Sequence, residues 1–597
     1  MNKVGEMVRI YSEETVSYIG KAIELKGWVQ GRRDHGGLIF IDLRDHTGIV
    51  QLVVQPEIKE AFTTAEHVRD EYVISVKGTV VERTSELKNP NIKTGEIEVR
   101  LESLEILNKS EPLPIQINTD DVVSEEIRLK YRFLDLRNHK MQQMLKRRAE
   151  LYAVMRKYMD DREFTEITTP VLANSSPEGA RDFLVPSRLH SGKFYALPQS
   201  PQQFKQLLMV SGVHRYYQIA ACFRDEDPRA DRLYGEFYHL DMEMSFVDSG
   251  SIVQELMEPL IVDLVKNFAG KKLHNNKVSV LTYQEAMDKY GSDKPDLRFG
   301  MELVDLSEYL ADSEFGVFSE AINQGGIVKA ICIKGGASLT RSQIDKYTEI
   351  AKKEGAGGLA YITFEDDEAK SPIAKFLSEN ELDTIKSKSG AEDGDIVFFG
   401  ADTRAIVNKV LGKLRSVIAD DKKLKDSSVV SLVWIIDFPF YEWDDKAKRV
   451  DFGHNPFSMP KGGLKALEEA KTDEQLLEIK ADQYDMAMNG YEICSGAVRN
   501  HSPEVMYRAF GALGFDKNYV DEKFGAMINA FKYGAPPHAG CAFGIDRILM
   551  ELSDEDNIRE IVAFPKNGSG VDVMTNSPSV VEDLQLDELD ISIKEKA

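Results

Sequence analysis

The sequence is poor in cysteine, and the cysteines it has form no paired motif. Cys222, Cys332, Cys494 and Cys541 lie far apart without a CxxC, which argues against a zinc knuckle and a disulfide framework and reads as reduced, buried thiols. Long apolar runs are missing too: the longest, over residues 429–436, has the length of a buried strand and not of a membrane span. The first residues carry acid at Glu6 and no apolar segment, so neither a signal nor a transit peptide is expected, and the expected address is cytoplasmic, off the membrane. Nor is there any basic excess. With 75 Lys and Arg against 99 Asp and Glu the formal charge is −24, the opposite of what polyanion binders usually show, although an acidic surface can coexist with a local basic groove. What remains is a globular composition, 42% hydrophobic and 29% charged, spread over 597 residues, enough chain for two to four domains.

Residues 1–107 are rich in short strand-like runs. Ile23-Glu24-Leu25-Lys26-Gly27-Trp28-Val29, Leu38-Ile39-Phe40-Ile41-Asp42-Leu43 and Ile49-Val50-Gln51-Leu52-Val53-Val54 are separated by Gly-Gly and Thr-Gly turns, and two more strands follow after residue 72. Residues 56–70 read as one helix with Pro56 near its start. Five strands and a helix fit an OB barrel, a frequent binder of single-stranded nucleic acid. Residues 108–140 read as a linker, and 141–161 as a long helix opening a mixed α and β region over 141–295. Residues 296–420, rich in Gly, Lys and Asp, read as an inserted domain; 421–565 resumes the earlier style, and 566–597 is an acidic extension with Asp583, Asp587, Glu588 and Asp590. No internal repeat or low-complexity tract is present.

Three separated segments set charge against small and aromatic residues. The first is Phe164-Thr165-Glu166-Ile167-Thr168-Thr169-Pro170-Val171-Leu172. The second runs from Cys222-Phe223-Arg224-Asp225-Glu226 to Phe237-Tyr238-His239-Leu240-Asp241-Met242-Glu243, two strands and a charged loop, with Asp241 and Glu243 on one face of the second strand. The third is Ala542-Phe543-Gly544-Ile545-Asp546-Arg547-Ile548, where a glycine permits close backbone approach and an arginine opens an apolar helix that could hold a phosphate. Taken alone, either arginine could equally be a surface ion pair, and Phe40 could equally be core, since Ile39 and Ile41 are apolar as well.

In this order the segments resemble the three signature motifs of class II aminoacyl-tRNA synthetases, and the chain is similar to the bacterial aspartyl branch over nearly its whole length. Pro177-Glu178-Gly179-Ala180-Arg181-Asp182 resembles that branch's mobile loop, Gln199-Ser200-Pro201-Gln202-Gln203-Phe204-Lys205-Gln206 its aspartate pocket, and Gly291-Ser292-Asp293-Lys294-Pro295 the lead into its extra domain. The resemblance implies an α+β fold: an antiparallel catalytic sheet with flanking helices, an N-terminal OB-fold barrel that binds the anticodon, and an inserted α/β domain. It implies ATP-dependent activation of L-aspartate and transfer to a tRNA, with a homodimer built on the motif around Pro170. Two anions must meet, the substrate carboxylate and the α-phosphate, so the site has to neutralise charge and hold geometry. By resemblance Arg224 clamps both, Arg547 holds the γ-phosphate, and Asp225, Glu226, Gly544, Ile545 and Asp546 complete the ATP site with Glu492. Mg2+ with Asp485 and Glu492 is implied as cofactor. Lys205 and Arg499, oriented by Asp241, take the aspartate side chain; Glu178, Ser200 and Gln202 take its α-ammonium, and His454 closes over it. In the barrel Arg33, His35, Phe40 and Gln51 stand at the positions that stack on and read anticodon bases.

The departures from that pattern are specific. Gly31 stands where many relatives have arginine, Asn455 replaces a second histidine, and the loop Leu233-Tyr234-Gly235 is one residue longer, which unsettles the adenine contacts. His35 points to a ligase that also charges the asparagine tRNA, whereas Glu86 points the other way. An asparagine-charging sister enzyme is disfavoured by the two cations Lys205 and Arg499, since a neutral amide would leave a buried cation unpaired. An inactive tRNA-binding paralogue is disfavoured by intact Arg224, Arg547, Glu492 and Arg499.

Overall fold

A computed structural model describes residues 8–117, 119, 123–175, 179–366 and 368–594. The chain forms two compact units, residues 1–142 and 143–597. The first is built on five long strands, β1 (Ala22–His35), β2 (Leu38–Arg44), β3 (Ile49–Val54), β4 (Val73–Glu82) and β5 (Ile97–Asn108). They run β1-β2-β3-β5-β4 and close when β4 pairs back onto β1, so no long edge is left unpaired. Alternation drives the closure: Ile23, Leu25, Val29, Ile39, Ile41, Val50 and Leu52 turn inward and are buried with Ala61 and Ala65 of helix α1 (Lys59–His67). Pro56 lies before this helix instead of in its first turn, and the segment read as linker carries short helices at Glu125–Lys130 and Arg132–Asp135.

The second unit is organised on an eight-stranded sheet. Its middle is antiparallel, in the order β8 (Leu432–Ile436), β9 (Gln483–Met488), β10 (Tyr491–Val498), β11 (His538–Gly544), β7 (Gly235–Ser245) and β6 (Arg215–Arg224). Short strands Ser279–Thr282 and Thr165–Glu166 add in parallel at the two edges. One face packs an apolar layer of Leu240, Met242, Trp434, Met486, Cys494 and Phe543 against flanking helices. The other face carries the polar residues described below, approached by α2 (Gln202–Val210), while α3 (Ile545–Leu552) packs Ile548, Leu549 and Leu552 into the apolar layer. The inserted segment has its own five-stranded antiparallel sheet with two apolar clusters. It is tied to the chain that leads into it by buried Arg415, which donates to the carbonyls of Asp296, Phe299, Gly300 and Met301. All four cysteines are free and buried.

Candidate active site

Strand register decides which side chains share the polar face. In β7, Phe237, His239, Asp241 and Glu243 alternate onto one side, opposite Cys222, Ala220, Gln218 and Tyr216 of β6 and, from His239 onward, Gly544, Ala542 and Gly540 of β11. Through Ala542↔Ser495 and Ser495↔Asp485 the same face continues across β10 to β9. Glu492 joins it because of a bulge: Met486 pairs with Cys494 but Ala487 with Glu492, so Ile493 is the extra residue and Glu492 is re-aimed to the side of Asp485. The two carboxylates thus come together, and burial followed by the Glu492 charge pushes the Asp485 carboxyl well up.

At the centre lies a four-charge cluster. Lys205 Nζ donates to Asp241 Oδ2 at 2.8 Å and lies 3.4 Å from Glu243 Oε2. Arg499 binds Glu243 through Nε at 3.0 Å and Nη2 at 3.3 Å, and Nη2 also reaches the Gly540 carbonyl at 3.2 Å. Asp241 and Glu243 are both fully buried, Lys205 and Arg499 nearly so. Two cations and two anions cancel, which is the condition for burying any of them. Position 540 must be glycine: a Cβ there would lie 2.1 Å from the Met242 carbonyl and 2.3 Å from Glu243 Oε2. The expectation that Asp241 orients both cations is corrected here. Asp241 serves Lys205, whereas Arg499 is held by Glu243, which the sequence placed on the right face without giving it a role.

The cluster is not saturated. Asp241 Oδ1 is buried without a hydrogen-bond partner of ordinary geometry among the described residues, as are Nε of Arg224 and Nδ2 of Asn500; the Tyr216 hydroxyl, itself unpartnered, lies beside Asp241, and a bound ligand is one way to satisfy such groups. Among the described residues Arg224 makes no ion pair; its guanidinium packs 5.1 Å from the centre of the Phe237 ring. Arg547 is the opposite case, paired with Asp231 Oδ2 at 3.1 Å and donating to the Glu492 carbonyl at 2.8 Å. His239 lies near Arg224, Lys205 and Arg547, and burial with these charges keeps its imidazole neutral.

The remaining predicted residues are distributed unevenly. Ser200 Oγ accepts from the Gln202 backbone N–H at 3.3 Å, and Gln199 braces the neighbouring loop through the Ala180 carbonyl and Asp182. Glu178 lies outside the described residues. His454 packs 4.9 Å from the Phe438 ring and near Glu442. Asp225 accepts from Tyr234 Oη at 3.3 Å, and Glu226 pairs with Arg232 at 3.1 Å. Ile545 is buried, so only its backbone is available at the start of α3, where Gly544 supplies no side-chain cap. Asp546 is engaged within the protein, by the Tyr238 N–H at 2.9 Å and Arg148 at 2.7 Å. On the barrel, Ile39 and Ile41 are fully buried, so Phe40 between them faces out. It stands opposite Arg33 in the register, with His35 edge-on at 6.0 Å, while Gln51 stands opposite Asp42.

Comparison with known proteins gives the family and the fold. A family model described as class II tRNA synthetases (D, K and N) matches residues 124–568, and one described as an OB-fold nucleic acid binding domain matches residues 23–107. The chain is 51% identical to the Aspartate--tRNA(Asp/Asn) ligase of Rickettsia felis over 98% of its length and 97% of that protein's. It is 50% identical to the protein of the same name from Chlorobium chlorochromatii, over 96% and 94%. Among solved structures it resembles the asparaginyl-tRNA synthetase of Pyrococcus horikoshii complexed with asparaginyl-adenylate, with TM-score 0.56 and 19% identity over 93% of this chain and 97% of that one. The aspartyl-tRNA synthetase of Entamoeba histolytica gives 0.54 and 18% over 95% and 96%. At these identities the structural likeness speaks for the fold.

Proposed function

This chain belongs to the class II tRNA synthetases of the D, K and N group, and on that footing we propose that it activates L-aspartate with ATP and transfers it to tRNA(Asp) and also to tRNA(Asn). The observation that carries the choice of amino acid is the buried pair of cations, Lys205 and Arg499, each balanced by its own carboxylate. Arg499 spends Nε and Nη2 on Glu243 and Gly540, which leaves Nη1 for the substrate's side-chain carboxylate. An asparagine side chain would set an amide against the same donors and forfeit the charge-assisted bonds. Asp241 Oδ1, Gln202 and Ser200 form the acceptor side for the α-ammonium, with His454 closing the pocket; the role the resemblance gives Glu178 falls outside the described residues.

In the activation step an oxygen of the substrate carboxylate attacks the α-phosphorus while the bond to pyrophosphate breaks. Arg224, whose Nε has no hydrogen-bond partner among the described residues, neutralises the two approaching anions. Arg547 takes the γ-phosphate in exchange for Asp231, with Asp225, Glu226 and the α3 start around the nucleotide. Asp485 and Glu492 fit a hard divalent cation: the register brings the two carboxylates to one side of the sheet, and a bound cation would offset the cost of their proximity. Mg2+ held by these two carboxylates would screen the negative charge of the phosphates. The transfer step moves the aspartyl group from the adenylate to a hydroxyl of the tRNA's terminal ribose, releasing AMP.

Both tRNA species follow from the two relatives named for Asp/Asn, near half identity over almost the full length, and from His35 beside Phe40 on the barrel. The enzyme is a cytoplasmic homodimer joined through the segment around Pro170, where Val171 and Leu172 are exposed; sedimentation at the mass of two chains tests this. The decisive experiment is charging of separate pure tRNA(Asp) and tRNA(Asn) with aspartate. Charging of both is expected; no product on tRNA(Asn) refutes the dual range, and asparagine-dependent, aspartate-independent pyrophosphate exchange refutes the amino acid.

A further inference from the structure

A chain of buried amides runs from β11 to the amino-acid end of the site. His538 Nδ1 lies 2.8 Å from the Pro536 carbonyl. A carbonyl can only accept, so Nδ1 carries the proton and donates. His538 Nε2 lies 3.0 Å from Gln206 Nε2. An amide nitrogen can only donate, so the imidazole nitrogen is the lone-pair acceptor. Gln206 Nε2 also donates to the Asn500 carbonyl at 3.4 Å. Two obligate acceptors, the Asn500 oxygen and the neutral His538 nitrogen, therefore hold the Gln206 amide in a single orientation. Its Oε1 then faces Gln202 and accepts from Gln202 Nε2 at 2.9 Å. Gln202 Oε1 is left as an acceptor with no hydrogen bond among the described residues. His538 and Gln206 are fully buried and Gln202 nearly so, so water does not compete for these bonds.

We propose that His538 and Gln206 are positioning residues for amino-acid recognition, which fix the polarity of the Gln202 amide so that its Oε1 accepts from the substrate's α-ammonium. This rests on the proposed reading in which Gln202 faces that ammonium. An amide free to flip would turn its own N–H2 toward a cation, losing an attraction and adding a repulsion. The relay works only while His538 is neutral, because a protonated Nε2 would need an acceptor and would reverse both amides. Burial holds the imidazole neutral, helped by Arg499 and His501; the Glu243 charge and the Pro536 carbonyl act the other way. Gln206 sits inside the run Gln199-Ser200-Pro201-Gln202-Gln203-Phe204-Lys205-Gln206, but His538 is 332 positions further along the chain.

The test compares His538→Gln, whose side-chain oxygen can stand where Nε2 accepts, with His538→Asn and His538→Phe, which supply no acceptor there. The KM for aspartate and for ATP is read by pyrophosphate exchange, and affinity for succinate, an aspartate lacking the α-amino group, by competition. The Asn and Phe variants should raise the aspartate KM by at least about tenfold with the ATP KM within about twofold, and should lose the preference for aspartate over succinate by a similar factor. The Gln variant should stay within about threefold of the parent. Equal losses for aspartate and succinate, or Gln and Asn variants that behave alike, overturn the relay. A parent enzyme without aspartate-dependent exchange overturns the functional reading instead, so the two failures are distinguishable.

Discussion

On the polar face of the eight-stranded sheet, Lys205, Asp241, Glu243 and Arg499 are buried together and every charge has a partner within 3.0 Å. On the barrel, Arg33 meets Asp42 at 2.9 Å as well, but its side chain is 51% exposed. The distances match and the energetics do not. In the sheet, removing one partner strands a charge in a low-dielectric interior, whereas water and salt replace a lost partner on the barrel. The first arrangement suits a small substrate whose charge must be read without error. The second suits a flexible polymer, where several weak contacts add and must also release.

The largest effect is expected where the sheet face is both buried and unpaired. Arg224→Ala should abolish aspartate-dependent pyrophosphate exchange, by on the order of a thousandfold or more, since no second group replaces the lost neutralisation. Filter binding should show tRNA affinity within a few-fold of the parent, and surviving exchange would refute the role given to Arg224. Next is the buried pair itself. Arg499→Met should cost roughly 3–5 kcal/mol of stability by leaving Glu243 uncompensated, and with it all activation. Adding Glu243→Met should return much of the stability, seen as recovery of the melting temperature, but none of the exchange. Recovery of both would mean that the cations are structural only.

Acidity sharpens the same contrast. Burial and Glu492 push the Asp485 carboxyl up, so on the proposed reading a proton competes with Mg2+ for it. The sign follows directly: Mg2+ needs the ionised form, so the Mg2+ concentration giving half-maximal exchange should rise as pH falls, by up to about tenfold per unit. Asp485→Asn should flatten that dependence. The raised carboxyl itself favours folding at low pH, a contribution lost as pH rises through its folded value. A Mg2+ requirement indifferent to pH would separate Asp485 from the metal.

The two regions also differed in how much their sequences disclosed. Alternation along Leu240-Asp241-Met242-Glu243 was enough to put both carboxylates on one face, and the Gly-Gly and Thr-Gly turns were enough to mark the barrel. Which carboxylate meets which cation was not legible, because the pairing depends on α2, β7 and the end of β10 meeting across 256 positions for Arg499 and Glu243. The bulge at Ile493 leaves no composition signal, so the pairing of Glu492 with Asp485 rested on the family resemblance alone, and the register supplies its physical cause. Ile39-Phe40-Ile41 is uniformly apolar, and only barrel closure decides that the two isoleucines turn in.

That closure gives the smaller predictions. Phe40→Ala removes a half-exposed ring and no core, so stability should hardly change, while tRNA affinity should fall by about 1–3 kcal/mol if one base stacks there. Aspartate activation without tRNA should be untouched. Arg33→Ala should cost least, under about 1 kcal/mol at moderate salt, because its partner Asp42 remains hydrated. Its effect should shrink as salt rises, and with it the slope of log affinity against log salt should fall by up to about one. A salt-independent loss at Arg33 would mean that this residue reads a base edge in a dry contact, and the barrel would then share the design of the sheet.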